Sequence, residues 1–200
     1  MLVPPNSEIL ERGDVQFFYR PKVQPADPYA PVVPGVQAFF LVLSPEGGRP
    51  HRRVRIGRKR MPAAERGERF WAEVEAVGSF DRVIGSELAD ETYTTKTRGE
   101  RFQPGARPIG QGTYAFTRHA DHVHFGYHLD HVELEVPDEV LVPVDAGHVV
   151  LFERHRESES NAVWTSIGHP MQLDRAGADF VLVGIADDYG ENVAPHSDAV

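Results

Sequence analysis

The chain of 200 residues has no cysteine. Disulfides, thiolate-ligated zinc and cysteine nucleophiles are therefore excluded, and a reducing cytosol is the compartment that fits most easily. Long hydrophobic runs are missing too, since nothing approaches the roughly 20 apolar residues of a membrane span. The opening "MLVPPNSEILERGD" lacks the basic-then-apolar order of a secretory signal. A cytoplasmic protein with no membrane partner is the expectation. Two catalytic signatures are also missing: the G-x-x-x-x-G-K-[ST] phosphate loop and the G-x-S-x-G nucleophile elbow. "GQGTYA" at Gly110 to Ala115 has the letters of a dinucleotide fingerprint, but "TYAFTRH" follows it where a helix should begin.

The residues that are present suffice for a core, with 40% hydrophobic and 10% aromatic. The length suits a single domain over about residues 1–190, with 191–200 read as a flexible C-terminal tail. The net charge of -9 is unevenly spread. Residues 49–107 carry 14 Lys/Arg against 9 Asp/Glu, and the remainder 7 against 21. Such asymmetry marks either an anion-binding face or two parts of one fold that attract each other.

Hydrophobic periodicity places the elements. Val15, Phe17 and Tyr19 alternate with polar residues, and Phe18 on the other face implies a strand covered on both sides. "PKVQPADPYAPVVPG" is too rich in proline for an element, whereas "VQAFFLVL", "SPEGG" and "RPHRRVRIGR" read as strand, turn and strand. In the last of these Val54 and Ile56 point inward, with Arg53 and Arg55 outward. Phe70, Val74 and Val77 fit i, i+4, i+7 spacing behind Pro62 and before Gly78, which predicts the main helix over 63–77. A second, short helix is expected around Phe80 to Leu88. Beyond Thr92 the runs are short, β-branched and aromatic. The fold class expected is α+β and β-rich: mostly an antiparallel sheet or barrel with one or two helices.

Five of the ten histidines fall in "FTRHADHVHFGYHLDH", residues 116–131. At period two, Val123, Phe125, Tyr127 and Leu129 share a core-facing side, and His122, His124 and His128 share the other with Gly126 and Asp130. From Val132 the apolar residues move to even positions, which predicts a bulge near Asp130 to His131. The histidine face is most simply a solvated sheet surface that needs no ligand, and it becomes a metal site if it looks into a cavity.

"HVHFGYH" resembles the first metal motif of the cupins, with His128 standing where that family has a glutamate, and "PVDAGH" resembles the second. The resemblance implies a β-barrel with His122, His124, His128 and His148 as ligands of a divalent transition metal. Neutral imidazoles suit such ions. "FTRHAD" is similar to the element that opens histidine phosphatases, which would make His119 a phosphate acceptor beside Arg118. In that family the motif ends the first strand of an α/β fold, whereas here it lies past the chain's midpoint. The order of "FFYRPKV", "GRKR", "TKTRGER" and "RHADHVH" is similar to that of prokaryotic proteins with no assigned activity, and implies no chemistry.

"TKTRGERFQPGARP" sets Lys96, Arg98, Arg101 and Arg107 around Gly99 and Gly105. Guanidinium forks and main-chain amides at a glycine turn hold phosphate or carboxylate. "RRVRIGRKR" reads as a strand with a cationic outer face, and nucleic acid is not the expected partner. The favoured expectation is a binding module for an anionic small molecule, with Lys96, Arg98, Arg101 and Arg107 holding its charge and His122 and His124 facing it. The rivals are a cupin-like metalloenzyme and a protein-interaction subunit.

Overall fold

The structure, a computed structural model, describes residues 7–27, 29–119, 122–154 and 163–185. The tail expected at 191–200 lies outside them. In chain order the strands are β1 (Glu8–Pro21), β2 (Gln24–Pro25), β3 (Val36–Pro45), β4 (His51–Ile56), β5 (Arg69–Gly78), β6 (Glu91–Thr95), β7 (Gly99–Gln103), β8 (Arg107–His119), β9 (His122–Val132), β10 (Asp145–Arg154), β11 (Val163–Ser166) and β12 (Ala178–Gly184). A single α-helix among the described residues, α1 (Phe80–Leu88), follows β5.

Eight strands close into an antiparallel barrel in the spatial order β1, β3, β4, β5, β12, β10, β9, β8, with β8 returning to β1. β11 adds to β10 outside the ring, and β2, β7 and β6 form a separate three-stranded sheet. Closure gives each strand of the ring a hydrogen-bonded neighbour on both sides. An eight-stranded barrel has an interior just wide enough for side chains to fill it. Phe17, Phe39, Tyr114, Phe116, Phe125 and Tyr127 lie in that interior, each 2% exposed or less. Fully burying such a ring contributes about 2 kcal/mol or more. Among the described residues, the cavity between Leu41, Leu43, Val54, Phe116, Phe125 and Phe180 measures ≈ 10 Å³, so the barrel is packed at that level.

The strand at Val15–Tyr19 is covered on both sides, as its pattern implied. Val15, Phe17 and Tyr19 face the barrel core. Phe18 faces out, into a second cluster with Phe40, Val42 and the α1 residues Val83 and Ile84. The bulge also falls where expected. Gln111 pairs with His131 and Gly112 with Leu129, leaving Asp130 as the extra residue. A side chain at Gly112 could not fit there, because its Cβ would come within 1.9 Å of the His128 carbonyl oxygen.

The main helix expected over 63–77 is not formed. Residues 64–66 make a single 3-10 turn ended by Gly67 at φ 56°, and Arg69–Gly78 is strand β5. Phe70 and Val74, four apart, share a face in either periodicity. The alternation of buried Phe70, Ala72 and Val74 with exposed Arg69, Trp71 and Glu73 is that of a strand. Ladder partners on β4 and β12, remote in sequence, decide the matter. The lone α-helix is the short one at Phe80–Leu88. Among the described residues, no helix is long and apolar enough to cross a membrane.

Candidate functional site

The two barrel ends are closed differently. At one end β3 turns into β4 and β8 into β9, and a charged network fills the interior. Arg52, 0% exposed, donates from Nη1 and Nη2 to both oxygens of Glu11 at 2.6 and 2.9 Å, and from Nε to Asp174 at 2.6 Å. Arg49 bridges the same two carboxylates, and the Tyr114 hydroxyl donates to Glu11 at 2.7 Å. Burial and the neighbouring Glu11 carboxylate push the Tyr114 hydroxyl pKa far up, so it remains a donor. Two guanidiniums, two carboxylates and a phenol make a charge-balanced plug whose groups are mutually satisfied. Alternation placed Arg53 and Arg55 outward correctly; Arg52 shares the inward face of Val54 and Ile56.

At the opposite end β4 passes into β5 through a strap, residues 57–68. The main chain turns at Gly57, whose amide donates to the Trp71 carbonyl at 2.8 Å. Arg58, Lys59 and Arg60 follow, and then Met61 inserts its side chain into the barrel core at 2% exposure. The Met61 amide donates to Leu141 O at 3.1 Å, pinning the strap to the β9–β10 connection. Arg60 forks onto both oxygens of Glu68, with its guanidinium 5.0 Å from the centre of the Phe70 ring. Glu68 also accepts from the Ala63 amide at 2.8 Å. Lys59 reaches Glu139 at 2.6 Å, and Glu139 accepts from the Val36 amide.

These residues wall a cleft of ≈ 430 Å³, with Arg58, Lys59, Arg60, Glu68, Phe70 and Glu139 in its lining. The hydrogen bond from Arg60, then that from the Ala63 amide, lowers the Glu68 carboxyl to about 2. The Lys59 hydrogen bond is the largest influence lowering that of Glu139, and Lys22 adds to it from nearby. Both carboxylates stay ionised at neutral pH. Each is engaged by one cation of the strap, while exposed Arg58 takes no part in the ion pairs found among the described residues. Cations thus outnumber carboxylates in and around this cleft.

Of the four predicted histidines, His122 and His124 lie side by side, and His128 and His148 stand apart from them. His148 pairs with Phe125 across the ladder and faces the barrel interior, 1% exposed, with its ring stacked 6.1 Å from Tyr127 at 8°. Burial lowers its pKa to about 4, against a partial opposing pull from the main chain at Pro62 and Phe125. Among the described residues, neither ring nitrogen nor the Tyr127 hydroxyl finds a hydrogen-bond partner.

His122 and His124 lie on the outer face, near the end that holds the charged network. Ring centres are 6.5 Å apart between them and 6.1 Å between His124 and His119. Burial, then His119 and His122, lowers the pKa of His124. His128 lies four residues further along that face, roughly 13 Å at strand rise, and bonds Asp145 at 2.7 Å. Among the described residues no group of three or more His, Asp or Glu side chains is arranged to hold a metal ion.

The cationic residues of the glycine-rich segment are likewise apart from the histidines. Lys96 and Arg98 sit in the β6–β7 turn, Arg101 on β7 donates to Val23 O at 3.4 Å, and Arg107 starts β8. Thr117, the ladder partner of His124, is ten residues from Arg107 along β8, roughly 33 Å of strand. The strap cleft was not foreseen. Its only sequence signal is the break in alternation at Gly57, where "RRVRI" gives way to "GRKRMP".

Compared with protein-family models, curated proteins and solved structures, the chain finds no match in any of the three.

Proposed function

We propose that the protein is a binding module for a small anionic molecule, carrying phosphate or carboxylate, that seats in the strap cleft. The observation that carries this reading is a cleft of ≈ 430 Å³ bordered by Arg58 outside the ion pairs of its neighbours. That volume falls in the range of small-molecule sites, ~300–1,000 Å³. The core cavity beside Phe116 and Phe125, ≈ 10 Å³, is too small for an organic ligand, which favours the rim. Glu68 and Glu139 hold Arg60 and Lys59 in fixed positions, so little ordering cost remains for those side chains when a ligand arrives. Arg58 supplies a fork for two anionic oxygens, and Phe70 an apolar wall.

Thermal denaturation with inorganic phosphate, pyrophosphate and citrate tests this. A ligand at a hundred times its Kd adds about 2.7 kcal/mol of stability. The gain is expected to shrink with added salt and to vanish in Arg58→Ala. Equal stabilisation of wild type and Arg58→Ala would refute it.

A further inference from the structure

The three-stranded sheet β2-β7-β6 ends on an open edge. Among the described residues β6 pairs with β7 alone, and Glu91, Thr92, Tyr93 and Thr94 are all exposed. Edge strands are usually guarded by proline, lysine or a bulge. At the opposite edge of this sheet, β2 contains Pro25. β6 reads Glu-Thr-Tyr-Thr-Thr, without proline or lysine, and four of its five residues rank among the better strand formers. Such an edge presents unpaired amides and carbonyls to an incoming strand.

The charges beside β6 indicate which strand that is. Asp90 precedes it and Lys96 follows it, and both are exposed. An antiparallel copy of β6 centred on Tyr93 brings Thr92 opposite the second copy's Thr94, Glu91 opposite Thr95, and Asp90 opposite Lys96. Thr–Thr pairs and opposite charges are both favourable across strands. A register centred on Thr92 leaves Lys96 across from Leu88. One centred on Thr94 carries its outer pairs into the 96–98 turn. Only the Tyr93 register pairs all five residues of β6 with residues of β6, and it sets Asp90 across from Lys96, the first residue of the turn, twice by symmetry.

We propose that the exposed edge of β6 is a homodimer interface, in which two copies pair β6 with β6 antiparallel about Tyr93 to form one six-stranded sheet. The partner is a second copy of this chain because the edge is complementary to itself.

The chain's lack of cysteine makes the test direct. Tyr93→Cys places two thiols on the symmetry axis, at a separation a disulfide can span. Mild oxidation is expected to convert most of that variant to covalent dimer. Leu134→Cys, at a fully exposed site, serves as the collision control and should remain mostly monomeric. Thr92→Cys alone should crosslink poorly, yet crosslink readily when mixed with Thr94→Cys. Thr94→Pro, with its melting temperature measured to confirm folding, should lower the dimer fraction in sedimentation equilibrium by tenfold or more. Crosslinking of Tyr93→Cys no better than Leu134→Cys, or a wild type that sediments as monomer throughout the micromolar range, would overturn the proposal and leave the edge to a strand of another protein.

Discussion

His124 lies across the β9–β10 ladder from Val149, and His148 from Phe125. That single residue of register sends the two imidazoles to opposite faces of one barrel wall. The cupin-type set of His122, His124, His128 and His148 is therefore divided among the barrel interior, the outer face at one end, and a pair with Asp145 further along. Zinc titrated into metal-free protein against a fluorescent chelator is expected to show the same uptake in wild type and His148→Phe. A near-stoichiometric site lost in His148→Phe would contradict this placement.

His148 also sets an acid limit on stability. Its ordinary pKa of 6.5 falls to about 4 in the folded chain through burial. The unfolded state therefore binds the extra proton between those values, and stability is lost as pH falls from 6.5 toward 4. At ~1.4 kcal/mol per unit, the loss amounts to about 3 kcal/mol. Above pH 6.5 the imidazole is neutral in both states and contributes no slope. Urea midpoints measured from pH 7 to pH 4 should fall steeply for wild type and more gently for His148→Phe. Parallel curves would show that the ring is not held neutral.

The charged plug is expected to be costly to break and cheap to replace. Glu11 and Arg52 are 3% and 0% exposed at their side chains. Removing one partner leaves a buried charge, so Glu11→Ala should cost about 3–5 kcal/mol in chemical denaturation. The pair Glu11→Leu with Arg52→Met leaves Arg49 and Asp174 bonded to each other, and should recover at least half of that loss. A double variant as unstable as Glu11→Ala would mean that the network is needed for more than mutual neutralisation.

Much of the barrel was legible residue by residue. Alternation identified β1, β4 and β9, the doubly covered Phe18 and the bulge at Asp130, and the apolar run before "SPEGG" identified β3, because each is a local consequence of which side chains meet the core. It failed over 63–77, where Phe70 and Val74 satisfy helix and strand alike and only the ladders to β4 and β12 distinguish them. Period two also does not reveal which groups of one face lie near each other. His122 and Arg107 belong to neighbouring strands yet stand at opposite barrel ends, and the strap cleft draws Glu139 from a connection about 80 residues from Lys59. No local pattern encodes that meeting.

The most direct measurement is a titration of inorganic phosphate into isotope-labelled protein, following backbone amide shifts. Saturable shifts are expected at Gly57 to Arg60 and Glu68, absent in Arg58→Ala, with the amides of Lys96 to Gly99 unmoved. Shifts confined to the Lys96–Gly99 turn, or shifts at the strap that persist in Arg58→Ala, would contradict the assignment of the cleft as the anion site.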